Sequence, residues 1–235
     1  MRTIESVDLL ALWERGASRH ALDRSALLCA RARPELPVEA IADLPLGEIT
    51  ASVLRLREAW FGGRIRAHVG CEHCGERLEL IVSVDDLLQT GAPVSRHVEA
   101  AGLRCRLPCL RDLAAVAGER DAARGARRLL ERCLLDAGSP GASALSDIAL
   151  REVEDALEAA DPNADLAFDV CCEACGHVGT AQLDAGAVLW HEIDARARAL
   201  LGEVHLLAAA YGWTEREILA LGAERRASYL SMVAP

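Results

Sequence analysis

Two short stretches of this chain carry the residue types best suited to chemistry: "CEHCGE", from Cys71 to Glu76, and "CCEACGH", from Cys171 to His177. Both contain the pattern C-E-x-C-G, and about a hundred residues separate them. Metal binding, dithiol redox chemistry and disulfide formation can all use such pairs. Each pair is preceded and followed by a short alternating run, which places it at the tip of a hairpin. A Cys-x-x-Cys-Gly turn between two strands is a zinc knuckle: the two-residue spacing aims both thiolates at one ion about 2.3 Å away. The glycine takes a positive φ without a steric penalty and lets backbone N–H groups face the sulfurs. One knuckle supplies two ligands and a structural zinc ion takes four, so two neighbouring knuckles complete a tetrahedral site. The ligand set read from this spacing is Cys71, Cys74, Cys172 and Cys175, holding one structural Zn2+ per chain. Redox dithiols sit at a helix N-terminus in a βαβ unit, whereas these pairs sit between strands. A dithiol redox protein remains the alternative reading of the same residues.

The other cysteines read differently. Cys29 and Cys133 lie among leucines at helical spacing, in "ALLCA" and "LLERCLL", as small buried hydrophobes. Cys105 reads as a strand core residue and Cys109 as an imperfect helix cap. Cys171 has the wrong spacing to Cys175 for a knuckle. His73 lies inside the first turn and points elsewhere, and His177 is expected in solvent. Four thiolates fill the coordination sphere, so such a site folds a protein and hydrolyses nothing. No G-x-x-x-x-G-K-[ST], G-x-G-x-x-G after a strand, H-E-x-x-H or G-x-S-x-G occurs. Lysine is absent, which excludes Schiff-base chemistry. Asp85 and Asp86 read as a helix cap, and the "WHEID" stretch around His191 and Glu192 as a surface-facing helical segment. The expectation is a non-enzyme.

The elements that must position the cysteines follow from periodicity. "VDLLALWERG" reads as a helix with Gly16 as its C-cap, and "EITASVLRLREAWFGG" as a helix closed by Gly62 and Gly63. "RIRAHVG" and "ERLELIVSV" alternate around the first knuckle, and "DLAFDVC" and "HVGTAQL" around the second. "RHVEAAGLRCRLP" is a further hairpin turning at Gly102. Helical period returns from Cys109 to Ala137, with Leu129, Leu130, Cys133 and Leu134 on one face. "GSPGASALS" reads as a loop, and a helix ended by Pro162 follows it. Leu189, Ile193, Ala197, Leu200, Val204 and Leu207 form one apolar stripe on a long helix that Gly212 ends. Thr214 and Glu217 then make a capping box, with Trp213 and Ile218 as its hydrophobic staple. The fold class is α+β, mainly α: a helical bundle with a split zinc-ribbon β module built from two CxxC hairpins. Its parts are a helical segment over 1–63, a first knuckle hairpin and β module over 64–108, and a helical insert over 109–162. The second knuckle hairpin covers 163–184 and a helical tail covers 185–235.

Composition narrows the class. The chain has 235 residues and a net charge of −10, and aromatics make up only 3%. A chain so acidic is not expected to take nucleic acid as its main partner, since a phosphate surface needs concentrated positive charge. No apolar run is long enough for a membrane span. The N-terminal "MRTIESVDLLALWERG" has no signal-peptide pattern, so the expectation is a cytoplasmic protein with reduced thiols.

From Phe168 to Val233 the chain resembles baseplate proteins of contractile-tail phages. The particular likeness is to the T-even-type baseplate hub assembly chaperone family, which has relatives in phage-derived contractile injection systems. It is carried by Glu203-Val204-His205, Tyr211-Gly212-Trp213-Thr214-Glu215, Ile218-Leu219, Arg225-Arg226 and Tyr229-Leu230, and upstream by "LWERG", "LPLGE", "RLPCLRDLAA" and "EDALEAADPNADLAFDV". Departures are Glu72 and Glu173, where the family often has Pro, Cys109 where Ser or Thr would cap a helix, and Gly222 in place of Ser. The resemblance implies an assembly chaperone or minor structural component of a baseplate hub, binding hub or wedge proteins in the bacterial cytoplasm, with no small-molecule substrate. Aromatic and Arg side chains anchor interfaces, so Tyr211, Trp213, Arg225, Arg226 and Tyr229 form the candidate partner-binding surface, with Arg226 expected in solvent. The other class left open is a zinc-ribbon or helix-turn-helix regulator binding nucleic acid through "EREILALGAERRASYL".

Overall fold

The apolar stripe read along the last third of the chain becomes the spine of the molecule. In the computed structural model, which describes residues 4–88, 95–135 and 145–233, one 27-residue helix buries Leu189, Ile193, Ala197, Leu200 and Leu207 along a single side. Val204, also on the stripe, is half-buried.

The elements run in chain order as follows. Helices α1 (Ser6–Gly16), α2 (Ala21–Ala32), α3 (Val38–Ile41) and α4 (Leu46–Phe61) lead into strands β1 (Arg64–Gly70) and β2 (Arg77–Ser83). The short α5 (Val84–Leu87) precedes β3 (His97–Ala100) and β4 (Leu103–Arg106), followed by α6 (Leu110–Val116), α7 (Ala122–Cys133) and α8 (Asp147–Ala160). Strands β5 (Ala167–Cys171) and β6 (Val178–Gln182) lead into the spine α9 (Ala185–Tyr211), then α10 (Glu215–Leu219) and α11 (Ala223–Val233). The expected loop "GSPGASALS" lies largely outside the described residues. The fold is mainly helical with small antiparallel sheets.

Helices α1, α2 and α4 pack on one part of α9, while α10 and α11 fold back onto it. The main core gathers Leu28, Val53, Leu54, Ile65, Leu189 and Ile193 from α2, α4, β1 and α9. A buried Arg57 on α4 makes a two-pronged contact with Glu192 on α9, at 2.7 and 3.0 Å, and also donates to the Gly62 carbonyl. The "WHEID" stretch is therefore not merely a surface face. His191 is exposed, but Glu192 neutralises a cation inside the bundle and Asp194 accepts from the Trp13 indole at 2.7 Å.

A second, smaller core joins Leu103 and Cys105 of β4 to Leu130 and Cys133 of α7 and Val153 of α8. The β3–β4 hairpin thus shares its core with the helices after it, rather than with the first knuckle hairpin. Ala101 and Gly102 turn it with φ of 49° and 73°, the double positive φ of a tight two-residue hairpin loop. The helical period expected from Cys109 to Ala137 breaks between α6 and α7, and Leu134 leaves the helix to bridge Cys105.

Two expectations about glycine divide. Gly212 takes φ 70° and caps α9 through its N–H to Ala208 O, as the sequence predicts. Gly16 is not a left-handed cap. It lies within α1, and a Cβ there would stand 2.4 Å from the Trp190 ring, so glycine is required by close packing.

Candidate metal centre

The ladder of β1 and β2 closes at Gly70 opposite Arg77, and that of β5 and β6 at Cys171 opposite Val178. Six residues then form each tip, and the two tips share one hydrogen-bond pattern. Cys71 N–H donates to Glu76 O and Gly75 N–H to Cys71 O, both at 2.8 Å. Cys172 N–H donates to His177 O and Gly176 N–H to Cys172 O, again at 2.8 Å. Gly75 and Gly176 have φ of 76° and 71°, a left-handed geometry that a side chain would strain. Glu72 and Glu173, which mark departures from the resembled family, are exposed in these turns and leave the pattern intact.

Register decides between the adjacent cysteines. Cys171 is the last ladder residue of β5 and is exposed, while Cys172 is the first turn residue and is buried. The sulfurs of Cys71, Cys74, Cys172 and Cys175 all lie within 4.8 Å of one another. Across the two hairpins, Cys71 Sγ is 3.7 Å from Cys175 Sγ and Cys74 Sγ is 3.7 Å from Cys172 Sγ. Four sulfurs placed tetrahedrally about 2.3 Å from a central ion stand about 3.8 Å apart. The donor set and its spacing therefore fit a tetrahedral metal ion.

Electrostatics within the cluster are uneven. The Cys74 backbone N–H, helped by that of His73 and by the thiols of Cys74 and Cys175, outweighs burial and holds the Cys71 thiol down at about 7. At Cys175 the His177 N–H favours the thiolate, but slight desolvation and the surrounding sulfurs of Cys74, Cys172 and Cys71 prevail and push the thiol up to about 12. Ionising the sulfurs one after another therefore becomes harder, and a central cation relieves that repulsion.

The cluster is where the two knuckle hairpins meet. The split-ribbon expectation had them as one β module, yet each pair of strands forms its own two-stranded sheet among the described residues. The join is made by sulfur rather than by a shared backbone ladder. Beneath it Val69, Leu78 and Val170 from the two hairpins line a cavity of about 40 Å³ with Cys71 and Cys172. His73 and His177 stand beside the cluster with stacked rings, centroids 5.7 Å apart. His177 is thus half-buried rather than free in solvent.

The other buried cysteines, Cys29, Cys105, Cys109 and Cys133, lie in the interior. Cys29, Cys105 and Cys133 are fully buried, and burial pushes the Cys133 thiol up to about 12. Cys109 is the N-cap residue of α6, and its contacts run to Asp112 in the first turn. Its N–H and thiol both donate to the buried Asp112, at 3.1 and 3.0 Å. Asp112 also accepts from Arg106, at 2.6 and 2.8 Å, and from Arg132 at 3.0 Å. Asp85 and Asp86 occupy the first turn of α5, but the cap itself is Ser83, which accepts from the Asp86 N–H.

The expected partner-binding residues separate. Tyr211 stacks on Trp213 with centroids 4.7 Å apart, and Tyr229 meets Trp213 edge-on at 4.9 Å. These three form one aromatic group, with Tyr211 exposed. Arg225 is exposed, but Arg226 is only 2% exposed and contradicts the expectation of a surface arginine. It donates to Glu203 at 2.9 Å, to Leu221 O at 2.6 Å and to Ser6 Oγ at 3.3 Å, tying α11 to α9 and α1. Its distant partners Glu203 and Ser6 leave no trace in the local sequence. The carboxylate of Asp161, which accepts the Gly47 N–H at 2.9 Å, escaped the sequence reading in the same way. No helix among the described residues is long and apolar enough to cross a membrane.

No protein-family model, curated protein or solved structure matches this chain.

Proposed function

We propose that the four cysteines hold one structural zinc ion, and that the protein is a non-enzymatic assembly component of a contractile phage tail or contractile injection system. In this reading it acts in the bacterial cytoplasm as a chaperone, or minor structural part, of the baseplate hub. The observation that carries the metal half is the four-sulfur cluster shared by two hairpins. Four thiolates leave a zinc ion no open position for water, so the ion stiffens the fold instead of activating a nucleophile. The assembly half rests on the likeness of the tail block, with support from the clustered rings of Tyr211, Trp213 and Tyr229 and from the exposure of Arg225. Large aromatic side chains grouped at one place suit an interface anchor. The partner is a hub or wedge protein of the tail.

Elemental analysis of protein purified without added metal tests the first half. About one zinc per chain is expected, lost in Cys172→Ser and kept in Cys171→Ser. A well-folded wild type without metal, or an iron centre with thiolate charge-transfer absorption, would overturn it. Co-expression with contractile-tail genes tests the second half. The chain should co-purify with a hub or wedge protein, and Tyr229→Ala should weaken that capture roughly tenfold or more. Wild-type yields of contractile particles in the absence of this chain would defeat the assembly reading.

A further inference from the structure

The four sulfurs differ in their access to solvent. Cys71 and Cys172, the first cysteine of each knuckle, are 7% and 1% exposed, and they line the small cavity between the hairpins. Cys74 and Cys175, the second cysteine of each knuckle, are exposed. The cluster therefore has a sealed inner pair and an open outer pair, with one of each from either hairpin. All four sulfurs stay within 4.8 Å, so the outer two are close to each other as well as to solvent. Cys171 is also exposed but is absent from the cluster.

We propose that Cys74 and Cys175 are an oxidative modification site, at which hydrogen peroxide forms a disulfide between the two knuckles and expels the metal. The inference rests on the metal-centre reading. A lone pair of one outer thiolate attacks a peroxide oxygen, which keeps its hydrogen; the O–O bond breaks and hydroxide leaves, giving a sulfenic acid. The other outer thiolate attacks that sulfur, the S–S bond forms, the S–O bond breaks and a second hydroxide leaves. Two sulfurs lose two electrons in all, and one peroxide is reduced to two hydroxides. Cys71 and Cys172 then remain as two ligands, half of what a tetrahedral structural ion requires. The new bond spans the same two hairpins as the ion did, so the long loop between them stays closed. Oxidation thus exchanges a metal cross-link for a covalent one.

The test uses the full chain, with its metal content measured first. Excess hydrogen peroxide is added in the presence of a chromogenic zinc indicator, and thiols are then blocked and disulfides mapped by mass spectrometry. The expected result is about two thiols lost per ion released, with a Cys74–Cys175 disulfide. A dithiol reductant with added zinc should restore the metal-bound form, and Cys171→Ser should release its ion at the wild-type rate. Retention of the ion while Cys171 is oxidised would overturn the proposal, as would any mapped disulfide other than Cys74–Cys175. Protein that carries no metal before peroxide is added fails at the first measurement, which identifies the metal-centre reading as the part at fault.

Discussion

Two buried aspartates show how environment gives one residue type opposite roles. Burial alone would raise the Asp112 carboxyl, but the Arg106 guanidinium, the Cys109 thiol and the Cys109 N–H outweigh it and hold it well below the usual carboxylate range. No cation among the described residues pairs with Asp161. Burial raises its carboxyl, and the single Gly47 N–H only partly offsets that. The signs of the two linkages differ. The contribution of Asp112 is present above the unfolded value near 4 and is lost as pH falls from there through the depressed folded value. That of Asp161 is present below the unfolded value and is lost as pH rises through the raised folded value. Asp112→Asn is therefore expected to cost about 3 kcal/mol near neutral pH, a deficit that narrows in acid. Asp161→Asn keeps an acceptor for Gly47 and should gain on wild type as pH rises. Urea denaturation of both variants and wild type between about pH 3 and 7 checks the pair, and parallel slopes for the two variants would refute it. The Asp112 partners Arg106 and Cys109 lie within six residues of it, whereas the role of Asp161 has no local sign. Asp161 follows an unremarkable helix, and the position that explains it is Gly47, where a Cβ would lie 1.9 Å from Asp161 Oδ1.

At the scale of elements, legibility followed the range of the interaction. The capping box of Thr214 and Glu217 spans three residues, and the structure forms it, with Glu217 accepting from the Thr214 N–H at 2.8 Å. The stripe of α9 and the two knuckle turns are likewise set by spacings of two to four residues. What was misread depends on distant partners. Gly16 looks like a helix cap until Trp190 arrives against it, and Arg226 looks solvated until Glu203 and Ser6 enclose it. The β3–β4 hairpin carries no local sign that it packs on α7 and α8. The tail hairpin can be tested at this scale. Arg226→Ala should cost about 3 kcal/mol by leaving Glu203 without its buried partner, whereas Arg225→Ala, on the solvent side, should stay within about 0.5 kcal/mol of wild type. Thermal unfolding distinguishes them, and equal melting temperatures would mean that Arg226 does not tie α11 to α9.

For the molecule as a whole, the sulfur cluster closes a loop of 98 residues between Cys74 and Cys172. Loop closure of this length, together with the ligand bonds, should make the metal proposed for this site worth several kcal/mol to the folded state. A strong chelator is therefore expected to lower the melting temperature and to expose β2 through α8 to protease. Unchanged cleavage between residues 85 and 165 would refute that. Among the described residues the two knuckle hairpins share no ladder, so their junction rests on the sulfur cluster rather than on backbone pairing. The same separation has a meaning in time. A ribosome adding about 5–20 residues per second delivers the second knuckle some 5–20 s after the first. Throughout that interval the first knuckle is a half-site with two thiols, and the second knuckle of its own chain has not yet been made. On a polysome, neighbouring nascent chains present the same half-site together, and a metal ion can bridge two of them. On the proposed zinc reading, the yield of correctly closed chain should therefore depend on free zinc and on ribosome spacing during synthesis, not only on the stability of the finished fold.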